Sequence, residues 1–260
     1  MPFTLSHMVL APPIAALSGR RLPLAALAIG CMCPDLYRLF TPADFDFSHQ
    51  WPSVYTFNLA IGLFFAALWY VLYRPLIYRL LQLEDPLQLH HTRALLLFIL
   101  ASCIAIMLGT ATHILWDGLT HADFRSFIFE AFLASNVQLG QHSYPVHRIL
   151  QIACSVFSLP LLVVMCRRYI TAHRSPEYLP KKLRYYGYTV IFLSLCHAIV
   201  AYLNYAQHLA SAGTVLSLYA YLGYAGNQFT QAFLISFSIG CILYRYLEHY
   251  DFFEHSRRIR

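Results

Sequence analysis

The chain has 260 residues, of which 58% are hydrophobic and 12% charged, and its mean hydropathy is +0.53. A soluble domain carries roughly 25% charged residues, so the composition excludes an ordinary soluble enzyme and points to an integral membrane protein. The net charge of +6 comes without any soluble basic run interleaved with aromatics, which excludes nucleic acid as a partner; the basic residues read instead as cytoplasmic loops.

Two apolar stretches come first, residues 5–17 and 22–33, separated by Gly19, Arg20 and Arg21. They predict a helical hairpin with the arginines at its tip, shorter than full bilayer thickness. Ser6 is the expected N-cap of its first helix, and Pro12 and Pro13 are expected to kink it. The first stretch follows MPFTLSH rather than a basic segment, and no A-x-A site ends it, so it does not read as a cleavable signal.

Residues 53–73, 94–115, 149–166 and 188–206 each approach the roughly 20 apolar residues of a membrane span. Residues 213–244 are uncharged throughout and too long for one ordinary span. They read as a short segment to Gly226 and a span beginning at Asn227. No segment alternates apolar and polar residues as a barrel strand does. The expected fold is therefore all-α, a polytopic transmembrane helical bundle of about seven helical passes including the N-terminal hairpin. It reads as a single domain over 1–260, with motifs in 1–165 and additional transmembrane helices over 185–247.

Orientation follows from charge. Arg20 and Arg21, then Arg74, Arg79 and Arg93, then Arg167 to Arg184, then Arg245 to Arg260 place 15 of the 18 Lys and Arg residues on one face. By the positive-inside rule that face is cytoplasmic. The expectation is a multi-pass protein of the cell inner (cytoplasmic) membrane, its N-terminus outside and its C-terminus cytoplasmic. Only Arg38, Arg125 and Arg148 fall on the outer side.

Against that frame the chemistry-bearing residues collect at the outer ends of the helices. His7 lies 13 residues before Arg20 and Asp35 lies 14 after Arg21, so each stands about 20 Å above the hairpin tip at 1.5 Å per residue. His113 lies 20 residues after Arg93 and His147 lies 20 before Arg167, each about 30 Å above its own loop by the same rise. His113 and Asp117 are i,i+4 and share a helix face; His121 continues it if the helix survives Gly118. His147 and Gln151 repeat the spacing, and His49 follows a short acidic loop containing Asp44 and Asp46. Neutral imidazole and carboxylate suit divalent ions, and two ions bridged by a carboxylate clamp a phosphoryl group and activate water. The candidate metal ligands are thus His7, Asp35, His49, His113, Asp117 and His147. The ion expected is zinc, one or two per chain, with manganese or magnesium as alternatives. His113, Asp117 and Arg148 are the candidate catalytic residues, Arg148 as a phosphate partner or, equally, as a snorkelling interface arginine.

Other residues have plainer readings. His197, mid-span, reads as a hydrogen-bonded packing residue, and His90, His91, His173, His249 and His255 as solvated on the basic face. The seven cysteines are odd in number, lack a C-x-x-C pair and read as small hydrophobes, although Cys31 and Cys33 lie close enough to Asp35 to serve as soft ligands. The six-residue set itself has two competing readings, a structural polar network and a proton or ion path.

The series MPFTLSH, LPLAALAIGCMCPD, SHQ, GTATHILWDGLTH and YPVHRILQ resembles an uncharacterised bacterial membrane family of the domain-of-unknown-function kind, with motifs over roughly the first 165 residues. More distantly, the order His, Asp, His, H-x-x-x-D, His is similar to the ligand order of zinc-dependent phospholipases C and of small membrane-bound metal-dependent hydrolases. That likeness implies His7, Asp35, His49, His113, Asp117 and His147 as ligands, with His121 or His142 as one further histidine. Two departures stand out. Gln151 occupies the place of a glutamate, and the chain begins Met1-Pro2 where the soluble enzymes use an N-terminal tryptophan. The expected function is hydrolysis of a phosphoester or phosphodiester on a lipid or other amphiphile at the outer face, with the lipid bilayer as partner. The alternatives are a non-catalytic membrane protein with a structural metal or polar cluster, and a transporter.

Overall fold

The computed structural model describes residues 4–41, 43–84, 87, 89, 91–211 and 218–253, with the backbone alone over 218–220. His90, His255, Met1 and Pro2 lie outside the described residues. Contacts divide the chain into two compact units, one of 1–37, 44–67 and 86–172, the other of 38–43, 68–85 and 173–260.

The first unit opens with a 3-10 turn over Thr4–Leu10 that passes into helix α1 (Ala11–Leu17). Ser6 lies inside that turn and is buried, so it is not the N-cap expected of it. Pro12 and Pro13 sit at the start of α1, where the missing N–H is an orphan in any helix, so they mark the change from 3-10 to α rather than a kink within one helix. Gly19 and Arg20 turn the chain with positive φ. Helices α2 (Leu24–Gly30) and α3 (Cys33–Leu36) follow. At seven residues each, α1 and α2 rise only about 10 Å, so the hairpin is shorter than full bilayer thickness, as expected.

Helix α4 (Phe57–Ala67) continues through a π-helical stretch, Leu68–Tyr73, into α5 (Arg74–Leu81). Pro75 explains the widened turn: it has no N–H for the carbonyl four residues back, and its ring crowds that carbonyl. Helix α6 (Thr92–Thr120) runs unbroken through Gly118. A short α7 (Glu130–Ala134) and a hairpin of β1 (Asn136–Leu139) and β2 (His142–Pro145) lead to α8 (Val146–Ala172). Gly140, with φ 65°, makes the two-residue hairpin turn with Gln141, a Gly-X signal of the kind that hairpins favour.

Phe57–Leu81, Thr92–Thr120, Val146–Ala172 and, in the second unit, α9 (Lys181–Ser211) are the four helices among the described residues long and apolar enough to cross a membrane. Each overlaps one predicted span, and together they mark a membrane protein. The last helix, α10 (Leu218–His249), passes straight through Gly226, so the break expected there is absent.

The core of the first unit is the crossing of α2 and α6. A Cβ built on Gly109 would lie 2.5 Å from the Leu27 carbonyl oxygen, and one on Gly30 would lie 2.5 Å from that of Ile106. The two backbones touch, which only glycine permits. The second unit packs α5, α9 and α10 around Leu76, Leu183, Phe237 and Tyr244. There the Tyr73 hydroxyl is 2.8 Å from Ser238 Oγ, and His197 Nδ1 is 2.5 Å from Ser236 Oγ.

Substituting Gly109 by alanine is expected to destabilise the protein by about 1–3 kcal/mol, the cost of overpacking. Gly226→Ala, with open space where the Cβ would go, should be neutral or slightly stabilising. Thermal unfolding in detergent distinguishes the two; equal melting temperatures would show that the α2–α6 crossing tolerates separation.

Candidate metal centre

The buried residues of α6 recur every three to four positions through Ala105, Ile106, Gly109, Thr110, His113, Asp117 and Gly118, one helix face that starts small and becomes ionisable toward its C-terminal end. Because Gly30 and Gly109 let the helices touch, the Cys31 carbonyl comes to 2.8 Å from His113 Nδ1. A carbonyl only accepts, so the neutral ring holds its proton on Nδ1 and presents the Nε2 lone pair.

Two other imidazoles repeat this arrangement. The Ser48 hydroxyl donates to the Phe45 carbonyl at 2.9 Å, so its oxygen accepts from His49 Nδ1, also at 2.9 Å. The Ser48 carbonyl is in turn gripped by Asn58 Nδ2 at 2.7 Å and Ser53 Oγ at 3.0 Å. His121, just past the end of α6, has Nδ1 3.0 Å from the Asp117 carbonyl. The ring of His7 stacks on His113, centroids 3.8 Å apart and planes 17° from parallel.

These nitrogens converge on two carboxylates. Asp117 Oδ2 is 3.4 Å from His49 Nε2 and 3.5 Å from His113 Nε2, while its Oδ1 is 3.6 Å from His7 Nε2. Asp35 Oδ1 is 3.5 Å from His49 Nε2, and Asp35 Oδ2 is 4.0 Å from His113 Nε2 and accepts from Thr4 Oγ1 at 2.8 Å. His7, His113 and Asp117 are exposed by 2% or less. Among the described residues, the Nε2 atoms of His7, His49 and His113 and both oxygens of Asp117 are buried without a hydrogen-bond partner.

The spacing has a physical meaning. A charge-assisted hydrogen bond would close to about 2.7–2.9 Å, and these pairs do not. Lone pairs of imidazole and carboxylate facing each other repel unless a cation sits between them. Two ligands each about 2.1 Å from one tetrahedral ion stand about 3.4 Å apart, close to what is observed. His7, Asp35 and His113 form one group able to hold a metal ion, and His49, His113 and Asp117 form another.

The other expected ligand is placed differently. His147 is half-buried, and its Nδ1 is 3.0 Å from the Leu133 carbonyl. Arg148 is half-buried in the first turn of α8. Gln151 Nε2 donates to the Thr120 carbonyl at 2.9 Å, so this side chain ties α8 to the end of α6. His142, Asp44 and Asp46 are exposed, and Cys31 and Cys33 are buried free thiols.

Sequence reasoning did not single out Arg125 for this site. Gly118 leaves room for the Phe127 ring where a Cβ would collide with it, so the chain folds back over the end of α6. That brings Arg125 Nη1 to 3.6 Å from Asp117 Oδ2. Asp123 accepts from Arg125 Nε at 2.8 Å and from Nη2 as well. Burial would raise the Asp123 carboxyl, but these hydrogen bonds outweigh it and hold it down at about 2. The available signal was D-x-R just after the helix end, too short to be distinctive.

With the geometry in view, the sequence profile of a domain of unknown function, DUF4184, matches residues 1–244. The chain belongs to this DUF4184 family. No curated protein and no solved structure matches it. The matched residues contain every member of the His/Asp cluster.

His121 supplies a pH test of the metal-free protein. Burial pushes its imidazole down to about 4; Asp117 opposes the shift and Arg125 adds to it. The unfolded ring takes up its proton near 6.5 and the folded ring only near 4, so stability climbs as pH rises through that window. In chelated protein, His121→Gln is expected to flatten the stability slope between pH 4.5 and 6.5 by up to one proton. An unchanged slope would show that the folded ring titrates normally.

Proposed function

We propose that this protein is a membrane-embedded, metal-dependent hydrolase of phosphoesters or phosphodiesters on lipids or other amphiphiles. The observation that carries the reading is the set of imidazole-to-carboxylate separations of 3.4 to 4.0 Å, which match the edges of an ion's coordination shell rather than hydrogen bonds. Zinc is the favoured ion because imidazoles outnumber carboxylates; manganese is the next choice and magnesium, which prefers oxygen, the last.

A zinc ion held here would lower the pKa of its bound water to about 7 and so supply a nucleophile, where among the described residues no serine or cysteine is arranged to act as one. The residues of this chain do the rest. Cys31, Ser48 and the Asp117 backbone orient three rings, the surrounding bundle excludes bulk water, and Asp117 presents both oxygens to the cluster. Residues 121–145, between α6 and α8, expose Phe124, Phe127, Phe129, Phe132, Val137 and Leu139. So apolar a connector suits the lipid–water boundary and favours an amphiphilic substrate. The arginine distribution supports a seven-pass arrangement in the cytoplasmic membrane, N-terminus out, with this end of the bundle at the outer leaflet. The distant likeness to zinc-dependent phospholipases C agrees in ligand order. A closed structural metal site is the second reading, and the near-complete burial of His113 and Asp117 favours it.

Metal analysis of detergent-purified protein is expected to find one or two divalent ions per chain. His113→Ala and Asp117→Ala should abolish binding, whereas His147→Ala, at a ring that belongs to neither group able to hold an ion, should retain it. A wild-type protein that stays metal-free after reloading would overturn the reading. In mixed micelles, cleavage of a phospholipid or of a phosphomonoester amphiphile should stop on chelation and return on reloading. A tightly bound ion with no cleavage of either class would favour the structural site.

A further inference from the structure

Beside the metal cluster the structure holds an arginine that the ligand set does not use. Arg125 is 14% exposed at its side chain, so it stands at the rim, and one edge of its guanidinium is already committed. Nε and Nη2 both bond the Asp123 carboxylate, which also accepts from the Arg125 backbone N–H at 3.0 Å. The turn beneath is fixed as well: Ser126 N–H donates to the Asp123 carbonyl at 2.8 Å, and Ser126 Oγ donates to the His121 carbonyl. The guanidinium plane is therefore set by the protein. Its remaining edge carries Nη1, 3.6 Å from the same Asp117 oxygen that faces His49 and His113. At that distance Nη1 is not spent on a hydrogen bond to Asp117.

Charge then asks for an anion. Asp35, Asp117 and Asp123 bring three negative charges and Arg125 one positive charge, with the imidazoles neutral. One divalent ion balances the set, and a second leaves it two charges positive. With two ions the excess positive charge favours an anion; an ion held by His49, His113 and Asp117 would lie near Nη1, so an acceptor able to reach both would be stabilised by both. A tetrahedral oxyanion does this directly, one oxygen on the ion and another accepting from Nη1. Arginine suits the task better than lysine, because its planar fork can hold Asp123 with one edge and offer the other.

We propose that Arg125, aligned by Asp123, is the anion-binding arm of this centre and receives a non-bridging oxygen of a metal-bound phosphoryl group. Arg125 would touch the substrate; Asp123 is a positioning residue. The proposal rests on the metal reading above and names the chemical class that its open position takes.

The test uses full-length protein loaded with Mn2+ and inorganic phosphate as probe, read by paramagnetic enhancement of 31P relaxation, with bound metal measured in the same samples and sulfate and acetate as competitors. Wild type is expected to bind phosphate at the ion. Arg125→Gln should keep its Mn2+ and lose at least tenfold in phosphate affinity. Arg125→Lys should recover only part of it, and Asp123→Asn should weaken binding with the charge of Arg125 intact. Sulfate should compete and acetate should not. If Arg125→Gln binds phosphate as wild type does, or if wild type holds Mn2+ but no phosphate, the arm is overturned while the metal site stands. If wild type holds no metal, the metal reading falls and takes this one with it. Should Arg125→Gln fail to fold, Arg125→Lys decides: wild-type affinity there overturns the role of the fork.

Discussion

The constraint on which the rest of this structure depends is the burial of two carboxylates inside an apolar helical bundle. Removing an ion such as the Asp117 carboxylate from water costs several kcal/mol unless a counter-charge meets it. In a membrane protein such a residue is a functional signal. Asp117 is surrounded by His7, His49, His113 and His121, yet none approaches to the length of a charged hydrogen bond. A bundle that needed only a polar contact between helices would close those distances. Keeping them open leaves room for a divalent cation to supply the compensating charge, and binding one there would link fold stability to ion binding.

That linkage runs through backbone as much as side chains. The site is only as well made as the α2–α6 crossing, because the Cys31 carbonyl selects the tautomer of His113. The crossing requires glycine on both helices, at Gly30 and Gly109. The Ser48–Asn58–Ser53 network does for His49 what the crossing does for His113. One arm comes from a helix and the other from a short 3-10 turn, so precision at the cluster is achieved without a long regular element carrying every ligand.

Much of this could be read from the residues before any coordinates. His113 and Asp117 share a face because helices repeat every 3.6 residues, and the hairpin arithmetic that put His7 beside Asp35 needed only a turn at Arg20. The four long apolar runs marked the four candidate spans because a helix needs about 20 apolar residues to cross a bilayer. What resisted reading was set by contacts between segments distant in sequence. Ser6 fits an N-cap pattern but lies within a 3-10 turn. Gly118 looked able to end α6, but it is there to admit Phe127. Arg125 follows the helix end, where periodicity no longer says which way a side chain points, and only the folded turn brings it to Asp117. The helical period likewise put His147 on the same face as Gln151, whereas the Leu133 carbonyl, fourteen residues upstream, takes its Nδ1.

Gln151 shows how one position separates these influences. Its amide nitrogen donates to the Thr120 carbonyl, one of the orphan acceptors at the C-terminal end of α6. A glutamate in the same rotamer would set a carboxylate oxygen against that carbonyl and, when ionised, would have no proton to give. It would also add negative charge at the helix end where the macrodipole is already negative. The neutral amide therefore belongs to the frame that holds Thr120, and with it His121, against α8. The His/Asp cluster stops at the residues gathered around Asp117 and Asp35, and the C-terminal end of α6 is held by an uncharged tie.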